Sequence, residues 1–266
     1  MSGPEEDAIR DYILARLDEQ ERRVNTLVIT HPDRDHYNLL TEGLRGVLVD
    51  HIYRVVDPED CRQSFQEWLS VFFSNNVTVL QSRAHDPAGQ PNQRMKCGGA
   101  LVWILTATVE ENSSRKTAMS IVLMIRYGDF EAVLTGDATR DTENVIVGRH
   151  LSDWLDVDVL KICHHGSLAT STGVAGVGAV KPRAPVVSAA YINRFGHPRK
   201  EVIERLDDHT VETDPHMMRT ATGSQPDYTF ENVEDYREAI YSTVVSGNII
   251  VTSRGSGYSI TTQPHE

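Results

Sequence analysis

The sequence predicts an α/β protein folded as a single domain over residues 1–266. Short runs rich in β-branched residues alternate with segments whose apolar residues recur at helical spacing. Clusters of ionisable residues stand directly after several of these runs, at strand C-terminal ends, where open α/β sheets keep their chemistry. With 266 residues, 39% hydrophobic and 24% charged, there is enough apolar material to close a core, which argues against disorder over the whole length.

In order along the chain, residues 5–20 place Ile9, Tyr12, Ile13, Leu14 and Leu17 at helical spacing, with acids in the first turn as a helix N-terminus prefers. Residues 24–30 (VNTLVIT) form a short β-branched strand that stops at His31-Pro32, because proline cannot continue a ladder. Residues 34–75 read as mostly helical, with Phe65, Trp68, Leu69, Phe72 and Phe73 as a core-facing stripe, and 82–99 as a loop. Three apolar runs follow at 100–107, 119–126 and 131–134, the last two joined by a hairpin turn at Tyr127-Gly128-Asp129. A helix is expected over 139–154, strands over 157–163 and 184–190, and a helix from His197-Pro198 to about Leu206. Residues 207–239 are polar, with Pro and Gly, and read as a loop insertion. Residues 240–262 read as closing strands, at 240–245, 248–252 and 258–261.

Composition narrows the function. The 38 Asp+Glu against 26 Lys+Arg give a formal charge of -12, which disfavours a broad basic face for nucleic acid, so a polyanion substrate would need a local exception. No apolar run is long enough for a membrane span and the start is acidic and polar, so no membrane association and a cytoplasmic location are expected. Cys61, Cys97 and Cys163 are odd in number and widely spaced, which suggests reduced thiols rather than disulfides or a thiolate zinc site.

The chemistry concentrates at three strand ends. Thr30-His31-Pro32-Asp33-Arg34-Asp35-His36 packs two imidazoles and two carboxylates so tightly that a cation among them is the economical explanation, and mixed N/O ligation suits zinc, manganese or iron. A merely polar, solvated turn is the alternative. Leu134-Thr135-Gly136-Asp137 and the segment 160–167, with His164 and His165, repeat the pattern of an apolar strand ending in ligands. Each alone is weak, but strand ends on one sheet edge converge.

These segments resemble the metallo-β-lactamase superfamily, specifically the branch that includes the hydrolase domain of the DNA-uptake protein ComEC and related phosphodiesterases. The resemblance rests on THPDRDHYN at 30–38, AMSIVLMIRYGDFEAVLTGDA at 118–138, VLKICHHGS at 159–167 and NRFGHPRKEVIERL at 193–206. It extends to the closing hairpin at 241–260 and covers roughly residues 8–206 and 240–262. It implies an αββα sandwich and two divalent metal ions, Zn2+ or Mn2+. His31 and Asp33 would face one ion and Asp35 and His36 the other, with Asp137 bridging and His165 completing the second site; His164 is the less defined member of its pair. The histidine that other branches place before the bridging aspartate has no counterpart in 100–136, so the first site is expected to be the weaker or more open. The family's first β-hairpin is also missing, so the domain is expected to be N-terminally shortened. That leaves a sheet edge for a second copy or a partner chain to cover, if the chain is neither truncated nor rearranged.

The expected activity is that of a metal-dependent hydrolase, a phosphodiesterase or nuclease acting on a nucleotide or nucleic acid. Two cations roughly 3.5–4 Å apart activate a water and neutralise the leaving oxygen. Asp35 and Asp137 are the candidate bases, and His197 the group that orients or protonates the leaving group. Ser167, Arg194, Arg199 and Lys200 are candidates for phosphate contacts. A hydrolase of carboxylic esters, thioesters or lactams and a non-catalytic binding module of the same fold are the alternatives.

Overall fold

The computed structural model describes residues 4–19, 21–55, 63–73, 77–79, 92–107, 120–149, 156–233, 236 and 238–263. Helix α1 (Pro4–Leu14) leads into β1 (Arg23–Val28), and β1, β2 (Leu48–Arg54) and β3 (Val77–Val79) make a three-stranded parallel sheet with β2 in the middle. The short α2 (Leu40–Gly43) and α3 (Gln63–Phe73) lie between these strands in sequence. Ile29, Tyr37, Leu44, Val49, Ile52, Phe65 and Leu69 pack together on this sheet, with Ile13, Leu14 and Leu17 of the α1 region against them.

A second, seven-stranded sheet takes up the apolar runs. Strands β4 (Asn92–Cys97), β5 (Ala100–Thr106), β6 (Val122–Tyr127) and β7 (Phe130–Leu134) meander antiparallel, and then β8 (Val159–Lys161) and β9 (Ala184–Val187) add in parallel. Side chains alternate across a strand. Val102, Ile104, Ile121 and Leu123 accordingly face the first sheet, meeting Val28, Tyr53 and Val55. Leu105, Val122 and Met124 face the helical side, where Ile146 of α4 (Arg140–Arg149), Val177 of α5 (Val174–Val180) and Val202, Ile203 and Leu206 of α6 (Lys200–Asp207) cover them. The layers are helix, sheet, sheet, helix: the αββα sandwich. The β6–β7 turn needs Gly128, at φ +60°, because a Cβ there would lie 2.1 Å from the Gly255 carbonyl, which also accepts from Asp129 N at 2.7 Å.

Several expectations need correction. The expected helical stretch 34–75 is interrupted among its described residues by β2, whose polar Asp50 and His51 mask a strand held by its pairing with β1. The stretch 207–239 is not a plain loop but carries an antiparallel hairpin, β10 (Met218–Ser224) and β11 (Asp227–Val233), whose solvent-facing side made it read as a loop. Met218 and Ala221 bury the other side in the molecule. The expected loop 82–99 ends in β4, and its residues up to 91 lie outside the described ones. Likewise the side chains of Trp68, Phe72 and Phe73 lie outside the described residues, while Phe65 and Leu69 are buried as the stripe requires. Of 240–245 only β12 (Tyr241–Ser242) is strand, parallel to β9, before the single helical turn α7 (Thr243–Ser246). The tail closes as the hairpin β13 (Asn248–Ser253) and β14 (Tyr258–Gln263). Among the described residues no helix is long and apolar enough to cross a membrane.

Candidate metal centre

Three turns at strand C-termini build the site. The first follows β1 and is pinned to both sheets, since Ile29 N donates to Tyr53 O at 2.9 Å and Ile121 N to Thr30 O at 2.9 Å. The second follows β7, where Gly136 at φ +54° lets Asp137 turn inward; a Cβ there would lie 2.9 Å from Cβ of Thr30, so the first two turns touch. Lys161 Nζ, half-buried beneath, donates to Gly136 O at 3.0 Å and Ile162 O at 3.2 Å, and desolvation pushes its ammonium down. The third turn follows β8, where His164 (φ 44°) and His165 (φ 55°) are both left-handed. That conformation costs non-glycine residues of order 1–3 kcal/mol each and persists only where the surroundings over-determine it.

Asp137 is the hub, with its side chain 3% exposed. Its Oδ2 lies 3.6 Å from His31 Nε2 and 3.5 Å from His164 Nε2. Its Oδ1 lies 3.3 Å from His36 Nε2 and 3.7 Å from His165 Nε2. Each lobe has a carboxylate of its own: Asp33 Oδ2 is 3.6 Å from His31 Nε2, and Asp35 Oδ2 is 3.2 Å from His165 Nε2 and 3.8 Å from His36 Nε2. In the second lobe, ligand atoms of Asp35, His36, Asp137 and His165 all fall within 4.8 Å of one another.

The imidazoles turn Nε2 inward and Nδ1 outward. His165 Nδ1 lies 2.6 Å from Ser188 O, and a carbonyl only accepts, so Nδ1 carries a hydrogen and Nε2, which faces the lobe and Asp35, is the atom that would ligate an ion. Thr170 donates its hydroxyl to Ser167 Oγ at 2.9 Å, so its Oγ1 accepts from His164 Nδ1 at 2.8 Å with the same result. Thr30 Oγ1 has His31 Nδ1 at 3.2 Å and His36 Nδ1 at 3.1 Å, and a hydroxyl oxygen has lone pairs for both. Nδ1 held by an outer partner with Nε2 left open is how metal-binding histidines are oriented.

The inward atoms fit an ion. His31 Nε2, His36 Nε2 and Asp137 Oδ1 are buried without a hydrogen-bond partner, which is costly unless something else satisfies them. Two ligand atoms each about 2.1 Å from one ion at a tetrahedral angle stand about 3.4 Å apart. The spacings around Asp137, 3.3 to 3.7 Å, match that value better than they match a hydrogen bond. Burial pushes the Asp137 carboxyl up, but the approach of His36 and the charges of His165, His36 and His31 outweigh it and hold it well below the usual range. The hydrogen bond with His165 holds Asp35 down to about 2. Burial pushes His165 down, but Asp35 and Asp137 outweigh it and hold the ring above its ordinary value; for His164 burial prevails and the ring is pushed down.

The structure brings His31, Asp33, Asp35, His36, Asp137, His164 and His165 together. His197 joins their edge: its ring centroid is 5.7 Å from that of His164, its Nδ1 is buried without a partner, and burial with the nearby His164 and His165 pushes it down to about 4. Three of the expected phosphate contacts lie elsewhere. Ser167 is buried and engaged by Thr170 beneath His164. Arg199 points to the β10–β11 hairpin, donating to Gly223 O at 2.8 Å and pairing with Glu201 at 3.2 Å. Lys200 lies along α6, 3.9 Å from Glu204. Arg194 alone of the four is exposed on the loop beside His197. Sequence reasoning missed Thr30, Thr170, Ser188 and Lys161, whose roles come from tertiary contact, as well as Ser120, whose Oγ accepts from Asp137 N at 3.1 Å.

No protein-family model matches the chain. It is 26% identical over 219 residues to ComE operon protein 3 of Bacillus subtilis (strain 168), across 79% of this chain and 25% of that protein. This relative fits the metallo-β-lactamase superfamily that the motifs resemble. The chain spans about a quarter of the relative's length. Among solved structures it is similar to CmlA, a diiron β-hydroxylase from Streptomyces venezuelae, with a TM-score of 0.43 and 16% identity over 65% of this chain and 36% of that one. A mutant of that enzyme gives 0.43 and 15%, over 65% and 37%. The layered fold and the His/Asp cluster support a metal-dependent hydrolase.

Proposed function

We propose that the protein is a phosphodiesterase, its substrate a nucleotide or nucleic acid, working through two manganese or zinc ions. The observation that carries this reading is the division of Asp137, whose two oxygens each face two inward Nε2 atoms, so that one carboxylate joins two lobes of two imidazoles and a further aspartate each. Two such ions, if held by these residues, would lower the pKa of a bound water and neutralise charge on a phosphoryl group, several kcal/mol of transition-state stabilisation.

The chain's own residues divide the remaining work. Asp137 bridges the lobes and fixes their separation. Asp35, with its side chain 62% exposed, stands at the mouth. From there Asp35 orients the attacking water by accepting its hydrogen bond. His197, held at about 4, is neutral at pH 7 and orients the leaving oxygen with its ring N–H rather than protonating it. Three carboxylates with four imidazoles make a mixed N/O donor set, which suits manganese as well as zinc.

The test is hydrolysis of bis-p-nitrophenyl phosphate by chelated protein to which manganese or zinc is returned. Activity should come back with the metal and be lost in Asp137→Ala and His36→Ala; full activity in either variant sinks the two-metal reading.

A further inference from the structure

The loop after β9 sets Tyr191, Ile192 and Phe195 in the open, 57%, 68% and 52% exposed. Local contacts tie this loop down in that arrangement. Asn193 Oδ1 accepts from Phe195 N at 3.2 Å and His197 N at 3.0 Å, and the Tyr228 ring lies so close on Gly196 that a Cβ there would meet it at 2.5 Å. Guanidinium groups interleave with the rings. Arg219 lies 4.1 Å over Tyr191 and Arg194 4.7 Å over Phe195. Arg219 hydrogen-bonds to neutral groups, Tyr191 O at 3.1 Å and Asn232 Oδ1 at 2.9 Å, and Arg194 has no ion pair or hydrogen bond among the described residues. Two positive charges thus remain available in a chain of net charge -12. The patch also runs into the metal centre: Phe195 lies nearly parallel to His197, 18° and 6.0 Å apart, and His197 meets His164 at 5.7 Å.

We infer that this loop is a stacking platform for single-stranded nucleic acid, with bases on Tyr191 and Phe195 and backbone phosphates on Arg194 and Arg219, leading one phosphodiester past His197 to the Asp137 lobes. Aromatic faces interleaved with guanidinium groups take bases without regard to sequence. A duplex, whose bases are stacked on one another, offers nothing for these rings to receive. The platform names the substrate of the phosphodiesterase proposed above and so rests on that reading for cleavage, though not for binding.

Fluorescence anisotropy of a labelled single-stranded oligothymidine with the full chain in EDTA tests it. Binding should weaken as salt is raised, fall about tenfold in both Phe195→Ala and Tyr191→Ala, and be kept in Phe195→Trp. Wild-type affinity in both alanine variants, or a duplex or thymidine monophosphate bound as tightly as the oligomer, overturns the platform. Binding needs no metal, so the two readings fail separately: absent hydrolysis of bis-p-nitrophenyl phosphate with this binding pattern intact defeats the two-metal reading, and intact hydrolysis with binding indifferent to the substitutions defeats the platform.

Discussion

Thr170→Val separates the two lobes of the centre with one hydroxyl. Thr170 Oγ1 accepts from His164 Nδ1 at 2.8 Å because its own hydrogen goes to Ser167 Oγ at 2.9 Å. Valine keeps the shape and removes the acceptor. His164 then either leaves Nδ1–H unpaired or moves the hydrogen to Nε2, the atom 3.5 Å from Asp137 Oδ2, where it blocks ligation. Loss of such an outer partner costs about 10- to 100-fold in metal affinity, or about 1.4–2.8 kcal/mol. The loss should fall on one lobe only, because His165 is held independently by Ser188 O at 2.6 Å. A titration of chelated protein with manganese or zinc against a competing indicator should show two bound ions in the wild type; in Thr170→Val one should keep its affinity and the other weaken. Thr30→Val is the counterpart, since Thr30 Oγ1 serves His31 at 3.2 Å and His36 at 3.1 Å and so belongs to both lobes; both ions should weaken. If Thr170→Val weakens both ions equally, or neither, Asp137 does not divide two metals in the way the distances indicate.

Other outcomes follow from the same turns. Gly136→Ala puts a Cβ 2.9 Å from Cβ of Thr30 at a residue with φ +54°. It should cost about 1–2 kcal/mol in urea unfolding from the left-handed backbone alone and weaken metal binding; wild-type values for both would show the contact to be soft. Glu143→Ala strips the acceptor from the buried Thr172 N and from Gly173 N, the latter at 2.7 Å, and should destabilise by about 1–3 kcal/mol. Glu143→Gln, which keeps one acceptor, should lose less, and equal losses would contradict the account. The pH dependence of the chelated protein has a definite sign. Asp35 and Asp137 are depressed when folded, so their stabilisation is present above the ordinary carboxylate value of about 3.9 and is lost as pH falls towards about 2. Denaturant unfolding over that window should be less steep in pH for Asp137→Asn, by at most one proton, about 1.4 kcal/mol per pH unit; identical slopes would mean that Asp137 is not depressed.

What could be read in advance was set by burial on both faces. β5 to β9 carry apolar runs because helices cover one side, while on the other the first sheet covers β5 and β6 and the β13–β14 hairpin covers β7 to β9, and the polar clusters behind β1, β7 and β8 stand out against those runs. β2 escaped because Asp50 and His51 interrupt its pattern, and the β10–β11 hairpin because half of it faces water. Within the site, His31, Asp33, Asp35, His36 and Asp137 were legible from their clustering behind strands, and His165 from the resemblance. His164 was not, for a geometric reason: neighbouring residues on a strand point to opposite faces and on a helix about a quarter-turn apart, so two adjacent histidines are not expected in one pocket. Only the paired left-handed conformation at His164 and His165 brings both rings in.

That turn changes what the absence of a histidine before Asp137 means. A site missing a ligand should be weak and open on the deficient side, the first lobe. Yet Asp137 Oδ2 meets His31 and His164 at 3.6 and 3.5 Å, and Oδ1 meets His36 and His165 at 3.3 and 3.7 Å, so the lobes carry the same donors in the same number. Any difference between them must come from their surroundings. Asp33 is 42% exposed at its side chain and Asp35 62%, while His31 is buried completely. The open side is therefore the second lobe, where Asp35 meets solvent, and the first lobe is the enclosed one. Water should enter at Asp35, and the backbone strain at His164 is the cost of supplying the first lobe with its second imidazole from the strand next door.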